Sequence, residues 1–399
     1  MKHVAVVVAV VVGGCGSEPP ARSPAQRAQD SASAVTELQA AHFDGADRAA
    51  TQALALDPMN ARAAAVRAIA RYQAAGDKLV RGLEGVIERG DKLHALDHAA
   101  GRTAWHDFAD ALDGVDKDLA VAAGDPQFSL ELCLACWEHD WNHSGAIDER
   151  DRKLFEIEFD GHGGSLADGD PRRRPTFHFD VGDVDWARAM VAFQHAFVEV
   201  VLAYRWTELD KLFERGDPQL TIKLDDADRV KHARALVLSG LDYADRSRAE
   251  YLAETDDDRE WVPNPHQKNH PMPLEVDDAL FDTLAAVTGD VRRLLQSKAG
   301  ISMRDAASIL DPRIALIVPD AYVDVGAMFE HPSDIVLDTK QRGRTTDSLQ
   351  SIFHGLLGNG YRDHMEPSPI VARLKKMAGE LDRGEDTFDR KLRYLFWLN

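Results

Sequence analysis

Six residues between Asp140 and Asp151 offer oxygen at nearly regular intervals. Asp140, Asn142 and Ser144 do so through their side chains, Ala146 through its backbone carbonyl, and Asp148 and Asp151 through carboxylates. A hard divalent cation such as calcium takes about six to eight oxygens, and a short loop supplies them by turning alternate positions inward. Gly145 stands where such a loop must bend sharply, a place where a Cβ would obstruct the backbone. Ala146 needs no side chain for its role, and the apolar Ile147 next to it is expected to point into a core.

The pattern resembles the EF-hand calcium loop, with Asp151 in the closing position where Glu is usual. The resemblance implies a helix-loop-helix unit with Ca2+ as its cofactor. Asp148 then binds directly or through water, and Asp151 closes the shell from the outgoing helix. Aspartate is one methylene shorter than glutamate, so capture by both oxygens is harder. The expected affinity is modest, on the order of 10⁻⁵ to 10⁻³ M, as in extracellular modules whose ion is structural. The incoming helix is expected over Ser129 to His139, with Leu132, Cys136 and His139 on one face, and the outgoing helix over Glu149 to Phe159. Such loops usually pair. Residues 172–183 could form a degenerate partner, placing Phe179 opposite Ile147 and Asp183 in the closing slot, but arginines occupy its first positions and it should hold no metal. The Gly/Asp stretch Asp160 to Gly164, with Asp168 and Asp170, reads as a connector.

Other chemistry-bearing residues have plainer readings. Cys133 and Cys136 lie inside a predicted amphipathic helix with no preceding strand, which favours a structural disulfide or two packed thiols over a redox centre. His94, His98 and His106 recur at helical spacing and could hold a transition metal; His266 and His270 have weaker support. Trp186, Met190, Phe193, Phe197, Val201 and Tyr204 form a stripe expected to be a core face, with His195 and Glu199 beside it as satisfied polar groups. The motifs GxSxG, GxxxxGK[ST], HExxH and GxGxxG do not occur, and no catalytic residue is assigned.

These groups must be carried by helices. From Ser33 to about Glu131 the chain is Ala-rich, with apolar residues at spacings of three and four. Leu54 to Ala63, with Asp57-Pro58-Met59-Asn60 at its centre, resembles the junction between two tetratricopeptide repeats. The resemblance implies one helix over Gly45 to Leu56 and another over Asn60 to Ala74, stopped by Gly76-Asp77. Further helices are expected at Asp183 to Phe213, Asp226 to Glu254, Asp277 to Lys298, Thr346 to Leu357 and Ile370 to Leu381. Arg313 to Val318 is the best strand candidate, followed by Tyr322 to Val325 and Asp334 to Leu337. The expected fold class is therefore all-α: a helical array with a tetratricopeptide-like N-terminal part (33–128), an EF-hand and long-helix region (129–260) and a C-terminal helical region with little strand (274–399).

At the start of the chain, Met1-Lys2-His3 is short and basic and Val4 to Val12 is apolar, too short to span a bilayer. Val12-Gly13-Gly14-Cys15 then resembles a bacterial lipobox. That resemblance implies a signal peptide over 1–14, lipid on Cys15, and a membrane partner through that lipid. Residues 15–32 are expected to be a flexible tether. Gly16 and Ser17 lack the aspartate that retains enterobacterial lipoproteins on the inner membrane, which implies the outer membrane. Over the whole chain, 44% hydrophobic and 29% charged residues are ordinary for a globular body, and a net charge of −20 argues against nucleic acid as a partner. The expectation is a calcium-stabilised envelope protein that binds or scaffolds a protein or peptide. The alternative is an envelope hydrolase held in shape by calcium.

Overall fold

The computed structural model describes residues 22–88, 97–160, 164–208, 219–257, 259–272, 276–338 and 346–381. The stretch expected to be a signal peptide, Cys15 and His94 lie outside these residues. The first helix, α1 (Pro24–Gln39), begins well inside the stretch expected to be a tether. Ser23 and Gln26 cap it reciprocally and Pro24 occupies its first turn, three features that start a helix locally. Its Ala34 and Leu38 are fully buried against the next two helices, which holds it folded.

Helix α2 (Phe43–Leu56) ends at the expected Asp-Pro turn, and α3 (Ala61–Glu88) follows. Asn60 caps α3 through the Ala63 amide, at 3.1 Å, while its own side-chain amide donates to the Arg27 carbonyl. Arg27 also pairs with Asp57 at 2.7 Å, so the turn is stitched to α1. Gly76-Asp77 does not stop α3, which runs for 28 residues. A glycine inside a helix costs about 1 kcal/mol, and packing of α3 along α4 (His98–Ala123) offsets that. Ala63, Ala64, Ala68 and Ala70 are buried and let neighbouring helices approach closely.

The array continues through α6 (Val181–Ala203), α7 (Ala227–Ala253) and α8 (Asp278–Leu295). Helices α6 and α7 make the most extensive helix pair, and at Gly240 the two are so close that a Cβ would meet the Phe193 ring at 2.5 Å. The stripe expected as a core face is buried at Met190 and Tyr204, and Trp186 packs against the core, but Phe197 is 59% exposed. Val184, Val191 and Val198, seven residues apart, bury in its place. Helix α6 ends at Ala203, short of the expected Phe213.

The C-terminal part holds α9 (Met303–Leu310), α10 (Pro312–Ala315), α11 (Val325–Glu330), α12 (Thr346–Leu357) and α13 (Ile370–Leu381). Arg313 to Val318, expected as strand, instead contains α10, started by the Asp311 cap and Pro312. Strands are short. Besides a two-stranded pair described below, β3 (Tyr204–Arg205), β4 (Gln219–Leu224) and β7 (Ile335–Asp338) form one antiparallel sheet, and β5 (Ile301–Ser302), β6 (Tyr322–Val323) and β8 (Tyr361–Arg362) another. Helix dominates the described residues, as the all-α expectation requires. No described helix is long and apolar enough to cross a membrane.

Candidate metal centre

The segment leading into the oxygen-rich loop is not the expected helix. Leu130–Leu132 is a strand, β1, paired antiparallel with β2 (Phe177–Phe179), and a single 3-10 turn follows at Leu134–Cys136. Leu130, Leu132 and Leu134 are all buried while Glu131 is exposed, so the operative period is two. Cys133 and Cys136 form a disulfide across this turn, with Cα atoms 5.2 Å apart. Phe179 pairs with Leu130 rather than with Ile147, and Ile147 is 36% exposed, so 172–183 does not act as a partner loop.

Beneath the loop lies an aromatic floor. Trp137 is buried and meets Phe43 and Phe155 edge-on at 5.5 and 5.8 Å, and Trp141 meets Phe155 at 5.3 Å. From this floor the chain turns through 140–148 into a short helix, α5 (Glu149–Lys153), which replaces the longer outgoing helix expected to Phe159. The residues beyond α5 bury Phe155 and Ile157 in an irregular path held by Glu156, which pairs with both Arg173 and Arg174.

The loop is closed by its own acids. Asp140 accepts from the Ser144 amide at 2.9 Å and from the Gly145 amide at 2.7 Å, and Asn142 Oδ1 also accepts from Ser144 at 2.9 Å. Gly145 sits at φ +88°, a left-handed conformation open to glycine, with nothing within 4 Å of where a Cβ would stand. The Ser144 hydroxyl donates to the Ala146 carbonyl at 2.9 Å. The buried Asp151 accepts from the amides of Trp141, Asn142 and Asp148, at 3.0, 3.2 and 2.8 Å. It thereby ties the far end of the loop to its beginning. Asp148 caps α5, and the amides of Arg150 and then Asp151 hold its carboxyl below the usual range.

All six residues named from the sequence therefore belong to one turn, and their donor set suits a hard cation. Three carboxylates, an amide oxygen, a hydroxyl and a carbonyl would hold the ion. Their carboxylates are engaged by backbone N–H groups and are not drawn into one tight group. Among the described residues the carboxylates that do lie within 4.8 Å of one another are Asp180, Glu254 and Glu260.

This second group is built by α6, the end of α7 and the loop after it. Asp180 caps α6, accepting from the Gly182 amide at 2.7 Å, and the Asp180 amide in turn donates to the Asp183 carboxylate at 2.9 Å. Tyr251 donates to Asp183 at 2.8 Å. Burial pushes Asp183 well above the carboxylate range and the Asp180 charge adds to it; burial likewise pushes Tyr251 up. Glu254 is pushed up to about 10, first by burial and then by a hydrogen bond shared with Asp180. Its second oxygen accepts from Gln267 at 3.0 Å. Gln267 and Asn264 also line a cleft of about 980 Å³, with Arg172, Arg259, His266 and His270 on its wall.

The chain matches no protein-family model, no curated protein and no solved structure. Of the remaining sequence candidates, His98 and His106 both lie on α4, while His94 falls outside the described residues. His195 and Glu199 are buried; the His195 ring lies 3.5 and 3.6 Å from the Glu199 and Asp113 carboxylates, and Glu199 pairs with Arg229 at 2.9 Å. His266 is exposed, whereas burial pulls His270 below its usual value and its ring bonds the Met272 carbonyl. Asp168 pairs with Arg173 and Asp170 with Arg172, so the expected connector is pinned at its end. The acids at Asp180, Glu254 and Glu260 come from distant parts of the chain and left no local spacing to read. The D-x-x-D box at 180–183 was the one available signal.

Proposed function

We propose that this chain is a cell-envelope lipoprotein, anchored through Cys15, whose helical body binds calcium at residues 140–151 and serves as a binding or scaffolding protein. The carrying observation is the closure of that loop. Asp140 reaches forward to the amides of Ser144 and Gly145, and Asp151 reaches back to those of Trp141 and Asn142. Both ends of the oxygen-rich segment are thus gathered into one turn, and a cation exchanging for those amide contacts would rigidify the joint between β1 and α5. The ion's role is architectural.

Calorimetric titration of the full-length chain with calcium tests this directly, beside an Asp140→Ala variant. Wild type should release or absorb heat and gain about 2.7 kcal/mol of stability at a hundredfold excess over Kd. Asp140→Ala should lose both effects. A wild type indifferent to millimolar calcium removes the reading. The hydrolase alternative draws on the polar cleft that backs onto Glu254 through Asn264 and Gln267. It predicts turnover of an ester or glycoside that Glu254→Gln abolishes.

A further inference from the structure

Asp77, read in the sequence only as part of a helix stop, stands on the uninterrupted α3 and meets two histidines from the loop segment. Nε2 of His139 lies 3.4 Å from its Oδ2, and Nε2 of His143 lies 3.9 Å from its Oδ1. We propose that Asp77, His139 and His143 form a site for a transition-metal dication of the zinc class, which shares the turn of the oxygen-rich loop through His143 but uses none of its donor atoms.

The chemistry of the donors points there. Two imidazole nitrogens and one carboxylate suit zinc and its first-row neighbours, whereas calcium prefers oxygen throughout. The distances agree. With metal–ligand bonds of about 2.0–2.2 Å in a tetrahedral shell, neighbouring donors stand roughly 3.3–3.5 Å apart. The His139 separation of 3.4 Å matches that edge and is longer than a well-formed hydrogen bond. His143 is about half an ångström further out, and the three donors do not yet fall within 4.8 Å of one another as a set. The proposed site therefore requires the half-buried His143 side chain to rotate towards Asp77.

Two members are held in advance. The His139 ring packs edge-on against Phe43 at 5.2 Å and Trp141 at 4.6 Å, which fixes its plane, and Asp77 is carried by a 28-residue helix. The three side chains are only 19 to 25% exposed, shielded enough to make ligation favourable and open enough for entry. Three protein donors would leave the fourth place of a tetrahedral shell to water. An ion here would pin the turn to α3, and so join the first helices to the β1–α5 segment.

Cobalt(II) distinguishes this site from the calcium loop, because a four-coordinate nitrogen–oxygen shell absorbs strongly in the visible and a six-coordinate oxygen shell only weakly. Untagged full-length chain, stripped with chelator, should bind one Co²⁺ with an intense visible band that Zn²⁺ displaces and Ca²⁺ does not. Asp77→Asn and His143→Gln should each weaken binding by at least about 100-fold, since even outer-shell partners of metal ligands cost about 10–100-fold. Asp140→Asn should abolish calcium binding, whereas Asp77→Asn should leave calcium binding intact, so the two readings fail independently. Far-UV circular dichroism checks folding, and His143→Gln, a substitution in a loop rather than within a helix, remains informative if Asp77→Asn misfolds. An absent band, or one that survives in folded His143→Gln, overturns the proposal.

Discussion

Two acidic regions, the loop at 140–151 and the group of Asp180, Asp183, Glu254 and Glu260, use the same residue types in opposite electrostatic settings. In the loop each carboxylate faces backbone N–H groups, and the Arg150 and Asp151 amides hold the Asp148 carboxyl below its usual range. In the second group the acids face one another in a buried place, and Glu254 rises to about 10. Backbone amides stabilise the charged form, while burial and like charge favour the proton. Acid-rich sequence is therefore not a single signal; what stands opposite each carboxylate decides its state.

The largest effect should come from breaking the amide-satisfied side. Asp151→Ala strands the amides of Trp141, Asn142 and Asp148 beside a buried position, and each unsatisfied donor costs about 1–3 kcal/mol. Thermal unfolding without calcium should therefore already show a loss of about 3 kcal/mol or more. A variant as stable as wild type would mean that water serves those amides equally well.

An effect of opposite kind, seen as a pH slope, belongs to the buried acids. The folded-state value of about 10 for Glu254 lies above the ordinary 4.5, so the folded chain keeps a proton that the unfolded chain releases. Stability should accordingly fall as pH rises from about 4.5 towards 10. Glu254→Gln should flatten that slope and raise Tm at pH 8, by about 2–4 °C for each kcal/mol recovered. Parallel pH profiles for variant and wild type would remove the contrast between the regions.

The smallest effect is local to Asp148. Its depressed pKa means that the ionised cap stabilises α5 above the ordinary carboxylate range and is lost as pH falls through the lowered value. Hydrogen exchange should show α5 amides losing protection in Asp148→Ala while α3 and α4 keep theirs.

Long helices with a steady apolar period were legible. The expected Asp226 to Glu254 and Asp277 to Lys298 fall within a few residues of α7 and α8, and the limits of α12 and α13 agree. The turn at Asp57 to Asn60 and the bend at Gly145 were legible too, because capping and left-handed backbone depend on residues close in sequence. The incoming strand was not. Leu132, Cys136 and His139 satisfy a helical spacing, while Leu130, Leu132 and Leu134 satisfy a spacing of two, and pairing with β2 decided between them. Asp77 was missed because a Gly-Asp pair usually ends a helix. Only the contact of α3 with a distant turn reveals that it faces two imidazoles.

The early start of α1 limits how far the body stands from any lipid on Cys15. Only Gly16 to Ser23 separate that cysteine from the first helical residue, and eight residues at full stretch reach no more than about 30 Å. On so short a leash the folded body would stay within one protein diameter of the bilayer, and its encounters would be confined to whatever shares that thin layer.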